Sequence, residues 1–165
     1  MKLHHFLPII VLTLVVAACQ TTNKTKDLPE KLVDRIDLVD LEGNVISMDS
    51  LKGKTVFLNY WATWCRPCIA EMPDMDKAAK ELAEEDFVFL AASDEDIEKI
   101  RSFIEKYDYS FQFVHSKSSV FDLELSALPT TWVINKDGEI VYNEVGARKW
   151  DSEEGIKNLK ELALK

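Results

Sequence analysis

Cys65-Arg66-Pro67-Cys68 is the stretch of this chain whose residue types and spacing most directly imply chemistry. Two thiols separated by two residues can close a small disulfide ring or open to a dithiol. They stand where a run of β-branched and aromatic residues, Thr55 to Trp61, gives way to a helical pattern. Cys65 is thereby placed at a helix N-terminus, where free N–H groups and the macrodipole favour an anion. A thiol held there ionises more readily than free cysteine, and Arg66 adds a positive charge beside it. Pro67 occupies the first helical turn, where its missing N–H costs nothing. Cys68 lies one turn further on, on the same side. Zinc needs about four ligands, and after the N-terminal segment only His115 accompanies the cysteine pair. A purely structural disulfide across so short a loop is a weak staple. C-x-x-C beside a strand–helix pattern favours a redox dithiol.

Composition sets the frame for that chemistry. The chain has 165 residues, enough for one domain with an appendage. Hydrophobic residues make up 47% and charged residues 30%, ordinary for a protein with a real core. The formal net charge is -9 with no basic stripe, which excludes nucleic acid as an expected partner.

Residues 1–18 read as an address. Lys2 is followed by an apolar run from Phe6 to Ala18, too short for a bilayer span of about 20 residues. The run ends in Val16-Ala17-Ala18-Cys19, which resembles the bacterial lipobox. That resemblance implies cleavage before Cys19, lipidation of Cys19 and attachment to the bilayer through the lipid. An uncleaved anchor with an incidental Cys19 is the simpler alternative. Residues 19–34 are polar and read as a tether from which residues 35–165 hang; fifteen flexible residues reach roughly 20 Å. Export to the bacterial cell envelope, with the domain on the periplasmic or extracytoplasmic side, also supplies a compartment that permits disulfides.

The elements that must position the cysteines follow from hydrophobic period. Ile36–Leu41 and Val45–Met48 around Glu42-Gly43-Asn44 predict a β-hairpin. Thr55–Trp61, β-branched and aromatic and too apolar for a one-sided strand, and Phe87–Ala92 predict central strands buried on both faces. A helix is predicted from Cys65 to about Glu84, with Pro73 as a kink. Another is predicted over 94–107, capped by Ser93 or Asp94. A short extended piece follows at 111–114, and Ser118–Glu124 is predicted helical. His115 falls in a loop-like stretch and is given no role. Thr130–Ile134 and Glu139–Val145 pair around Asn135-Lys136-Asp137-Gly138, and Ser152–Leu164 is an amphipathic helix. The order predicts an α/β fold with a mixed sheet covered on both faces.

The segment Val56 to Cys68 resembles the active-site segment of the thioredoxin superfamily. The wider pattern Trp64-Cys65-x-Pro67-Cys68-x-x-Glu71-x-Pro73 is similar to the TlpA/ResA-like branch of membrane-tethered thiol–disulfide oxidoreductases. Leu128-Pro129-Thr130-Thr131 matches that branch's cis-proline loop. Residues 94–126 match its insertion. The resemblance implies a thioredoxin-like three-layer α/β/α fold with an N-terminal β-hairpin and a central α insertion. It implies Cys65 as attacking thiolate, Cys68 as resolving thiol and Glu71 as the carboxylate tuning their proton chemistry. The last role matters because Asn59, which stands where thioredoxin carries a proton-accepting aspartate, cannot titrate. Trp64, Arg66, Pro67, Leu128 and Pro129 become the substrate-contacting set, with Trp61 in the core.

No cofactor or metal is implied. The implied partners are protein disulfides or dithiols and a membrane redox donor, and the implied state is a monomer. Reduction of substrates is the direction the resemblance favours, with cytochrome c maturation as one duty. Arg66 pulls the other way, because stabilising the thiolate stabilises the reduced pair. Two other readings stay open: a thiol peroxidase, although Thr63 lacks the proline of a peroxidatic motif, and a non-catalytic binding module with an inert disulfide.

Overall fold

The computed structural model describes residues 31–165; the leader and Cys19 lie outside the described residues. Seven strands form one mixed sheet. They are β1 (Leu38–Val39), β2 (Val45–Ile46), β3 (Thr55–Tyr60), β4 (Phe87–Ser93), β5 (Gln112–Ser116), β6 (Thr130–Ile134) and β7 (Ile140–Val145). Their spatial order is β2-β1-β5-β4-β3-β6-β7. β3 lies inside the sheet, parallel to β4 on one side and antiparallel to β6 on the other. All six of its residues are buried, the polar Thr55 and Asn59 among them, as a strand covered on both faces requires.

The helices are α1 (Lys31–Asp34), α2 (Arg66–Glu81), α3 (Ile97–Ile104) and α4 (Glu153–Leu162). One face of the sheet packs α2, α3 and α4 around Phe57, Phe89 and Val133. The other face carries Leu58, Tyr60, Leu90 and Trp132 and is covered by α1, a 3-10 turn at Met48–Leu51 and Leu123. The central insertion brings a strand as well as a helix, since β5 joins the sheet beside β4. Trp61 is core, its ring 4.7 Å from Phe103 and 5.3 Å from Phe113.

Four local expectations are corrected. Residues 118–124 make one closed turn instead of a helix. The Leu125 N–H reaches the Val120 carbonyl and the Glu124 N–H reaches that of Phe121, with Glu124 left-handed at φ 55°. That is the pattern that terminates helices, applied after a single turn. The helix expected over 94–107 is only α3, and its N-cap is Asp96, which makes no side-chain capping bond. Ser93 and Asp94 are engaged elsewhere: Ser93 Oγ accepts from the Glu95 N–H, and Asp94 accepts from the Val120 N–H. The hairpin strands span two residues each, shorter than the alternation suggested. His115 lies in β5, its Nδ1 3.0 Å from the Glu95 carbonyl oxygen.

Gly155, in the first turn of α4, is a place where only glycine fits. A Cβ there would stand 2.7 Å from the Trp150 carbonyl oxygen and 2.8 Å from that of Lys149. Gly155→Ala is therefore expected to cost about 1–3 kcal/mol of stability in urea denaturation, as overpacking against backbone does.

Candidate active site

The site is assembled where β3 hands over to α2. Cys65 is the N-cap of α2, with extended backbone, and its sulfur accepts the Cys68 N–H at 3.3 Å. Arg66 and Pro67 make the first helical positions and are exposed. Cys65 and Cys68 are joined as a disulfide, with Cα atoms 5.3 Å apart. Cys68 is fully buried and Cys65 is 4% exposed, so the first cysteine is the outer one. Trp64, just before it, is 69% exposed and free to meet a partner.

The Leu128–Pro129 peptide is cis and leads directly into β6. Pro129 is buried and Leu128 half-buried. The Pro129 carbonyl accepts the N–H of Gly146, whose φ of 104° suits a residue without a side chain. Among the described residues, no hydrogen bond takes up the Leu128 backbone N–H or carbonyl. Extended chain can pair with such a backbone.

Glu71 lies on α2 three residues beyond Cys68 and is 3% exposed. Asn59 Nδ2 donates to its Oε1 at 2.9 Å. The Arg148 backbone N–H and the Trp150 indole N–H both donate to its Oε2, each at 3.0 Å. Burial pushes the Glu71 carboxyl above the ordinary carboxylate value, against the pull of these three donors; the nearby Asp74 charge pushes the same way as burial. Asn59 also donates to Thr131 Oγ1 at 2.9 Å, tying β3 to β6.

Sequence reasoning had assigned nothing to Arg148, Trp150 or Thr131 in this cage. It also gave no role to Glu95, which falls inside the helix predicted over 94–107. The Glu95 carboxylate accepts the Thr63 N–H at 2.6 Å and the Thr63 hydroxyl at 3.0 Å, and it pairs with Lys99. Thr63 belongs to the tight turn closed by the Cys65 N–H on the Ala62 carbonyl. Glu95 thus pins the turn that presents Cys65. Burial alone would raise its carboxyl, but the Lys99 and Thr63 bonds outweigh it and hold it below the ordinary range. Glu95→Ala is expected to lose about 1.5–3 kcal/mol, as charged hydrogen bonds do. That loss is complete above pH 4.5, the ordinary value, and fades as pH falls through the lower value of the folded state. Urea titrations of both proteins across acid pH check it.

An N-capping cysteine disulfide-bonded one turn down, reached from a strand that pairs with the strand after a cis-proline on a thioredoxin-like sheet, defines a thioredoxin-like protein disulfide oxidoreductase. The chain belongs to the Redoxin family, whose model matches residues 21–160. It is 35% identical over 121 residues to thiol-disulfide oxidoreductase ResA of Bacillus cereus, covering 72% of this chain and 70% of the relative. It is 41% identical over 112 residues to ResA of Halalkalibacterium halodurans, covering 66% and 64%. Among solved structures it is similar to a thiol-disulfide oxidoreductase from Bacteroides vulgatus, with TM-score 0.66 and 27% identity over 76% of this chain and 90% of that one. It is also similar to the exposed lipoprotein thioredoxin of Streptococcus pneumoniae, with TM-score 0.63 and 28% identity over 76% and 97%.

Proposed function

We propose that this oxidoreductase is tethered to the bacterial envelope by a lipid on Cys19 and reduces disulfides of exported proteins, apocytochrome c among them. The observation that carries the reading is the cysteine pair itself, with the outer sulfur at a helix N-terminus and the inner one buried beside Glu71's helix face. The Streptococcus pneumoniae relative is described as an exposed lipoprotein, which supports the tether. The ResA relatives are described as thiol-disulfide oxidoreductases, which supports protein disulfides and dithiols as substrates.

The Cys65 thiolate attacks one sulfur of a substrate disulfide and displaces the other as a thiolate. Cys68 loses its proton to Glu71, attacks Cys65 Sγ and releases the substrate's second thiolate. Two electrons pass to the substrate, whose sulfurs take up two protons, and Cys65–Cys68 is left oxidised. Trp64, Arg66, Pro67 and the Leu128–Pro129 backbone hold the substrate segment across the disulfide. A donor dithiol in the membrane resets the pair.

Labelling with radioactive fatty acid tests the tether. The wild-type chain is expected to carry label and sediment with membranes, and Cys19→Ala to lose both. An unlabelled wild-type chain overturns the anchor. The purified chain is expected to reduce insulin disulfides with dithiothreitol and to leave hydrogen peroxide unconsumed; the reverse pattern would make it a thiol peroxidase. Cells lacking it are expected to accumulate apocytochrome with oxidised haem-binding cysteines, and reduced cysteines there overturn the cytochrome duty.

A further inference from the structure

Glu71 is ringed by hydrogen-bond donors. Asn59 Nδ2 faces Oε1, and the Arg148 N–H and Trp150 Nε1–H face Oε2. An ionised carboxylate accepts on both oxygens and fits that ring. A protonated carboxyl must also donate, and none of these three groups accepts.

The missing acceptor sits on Asn59 itself. Asn59 is fully buried, its Nδ2 is spent on Glu71 and Thr131, and its Oδ1 is buried with no partner. A half-turn of the amide exchanges Oδ1 and Nδ2 in place, and that terminal torsion is broad and roughly two-fold. Oδ1 then accepts from a protonated Glu71. It also accepts from the Thr131 hydroxyl, which turns from acceptor to donor. With Glu71 ionised, the same rotation would set two acceptors face to face. Each protonation state of Glu71 therefore selects one orientation of the Asn59 amide.

We propose that Asn59 is a positioning residue whose amide turns over as Glu71 gains or loses its proton, passing that state to Thr131 in the strand that Pro129 opens. The inference rests on the reading of Glu71 as acceptor of the Cys68 proton. The proton moves from the Cys68 thiol to the Glu71 carboxylate, the Cys68–Cys65 bond forms, and the Cys65–substrate bond breaks with its electron pair on the substrate sulfur. Glu71 returns the proton to solvent and the amide turns back. On its own helix Glu71 shares a face with Cys68 and feels Asp74. From the other elements it meets Asn59, Trp150 and the Arg148 backbone, while the Arg148 guanidinium points away to Tyr142 and Glu144. Burial raises the Glu71 carboxyl, which brings the protonated form within reach.

The test is nuclear magnetic resonance on the full oxidised chain, labelled at Asn and Glu, from about pH 4 to pH 10. The Glu71 carboxyl carbon reports its own titration. The nuclear Overhauser contact between the Asn59 amide protons and the Thr131 methyl group reports the amide's orientation. That contact is expected to change several-fold with the same midpoint as the Glu71 carbon, and to be independent of pH in Glu71→Gln. A Glu71 carbon that titrates while the contact stays constant overturns the amide rotation and leaves the proton role of Glu71 standing. A Glu71 that never titrates in this range overturns both.

Discussion

Cys65→Ser is expected to reduce protein-disulfide turnover to the uncatalysed background, while Cys68→Ala completes the first exchange and stops. The asymmetry follows from position. Cys65 caps α2, its sulfur meets the Cys68 N–H, and it is the outer of the two. A hydroxyl at position 65 has the same place but no accessible anion near neutral pH, and the anion is the nucleophile. Cys68 has no exposure at all, so it reacts only with what Cys65 has already captured. Without it the mixed disulfide has no internal exit and accumulates toward one adduct per chain. Insulin reduction reads the first effect, and non-reducing gels with mass spectrometry read the second. Rapid turnover by Cys65→Ser, or failure of Cys68→Ala to form adducts with any disulfide substrate, would remove the assigned division of labour. The adducts would also identify the substrates.

Glu71→Gln is expected to slow the second step by about 100-fold near neutral pH, the lower end of what a positioned proton acceptor supplies. The first step should be nearly unchanged, so the variant accumulates mixed disulfide more slowly resolved than wild type. Stability carries a second signature. The folded-state value of Glu71 is raised, so its contribution is fully present below pH 4.5, the ordinary value, and is lost as pH rises through the raised value. The wild-type protein should therefore lose stability relative to Glu71→Gln as pH increases through that window. Urea denaturation of the two oxidised proteins at stepped pH checks the sign; a wild type that gains on the variant with rising pH contradicts the assignment of burial as the dominant influence.

The parts of this architecture that were legible from sequence are those written in consecutive residues. Thr55–Tyr60 is mostly β-branched and aromatic and became an interior strand buried on both faces. The amphipathic period of Ser152–Leu164 became α4, which Ser152 caps through the Gly155 N–H. The cysteines were readable because strand, cap and helix adjoin. The surroundings of Glu71 were not readable, because its donors come from positions 59, 148 and 150, brought together only when β3 and the loop before α4 close over α2. A lone tryptophan in the polar stretch Ala147–Ser152 was the available sign of a buried anchor there. The clasp of Glu95 on Thr63 spans 32 positions and left no periodic trace. At 118–124 the helix-like composition misled because Ser119 and Asp122 bond each other and the backbone locally, which competes with helix extension.

Trp150 joins two properties seldom found in one side chain: its N–H is committed to the Glu71 carboxylate, and its ring meets Phe57 edge-on at 4.9 Å. An indole whose dipole is fixed against a single buried charge is a built-in optical gauge. Its emission colour is expected to follow the gain and loss of that charge, read once the emission of Trp61, Trp64 and Trp132 has been separated from it.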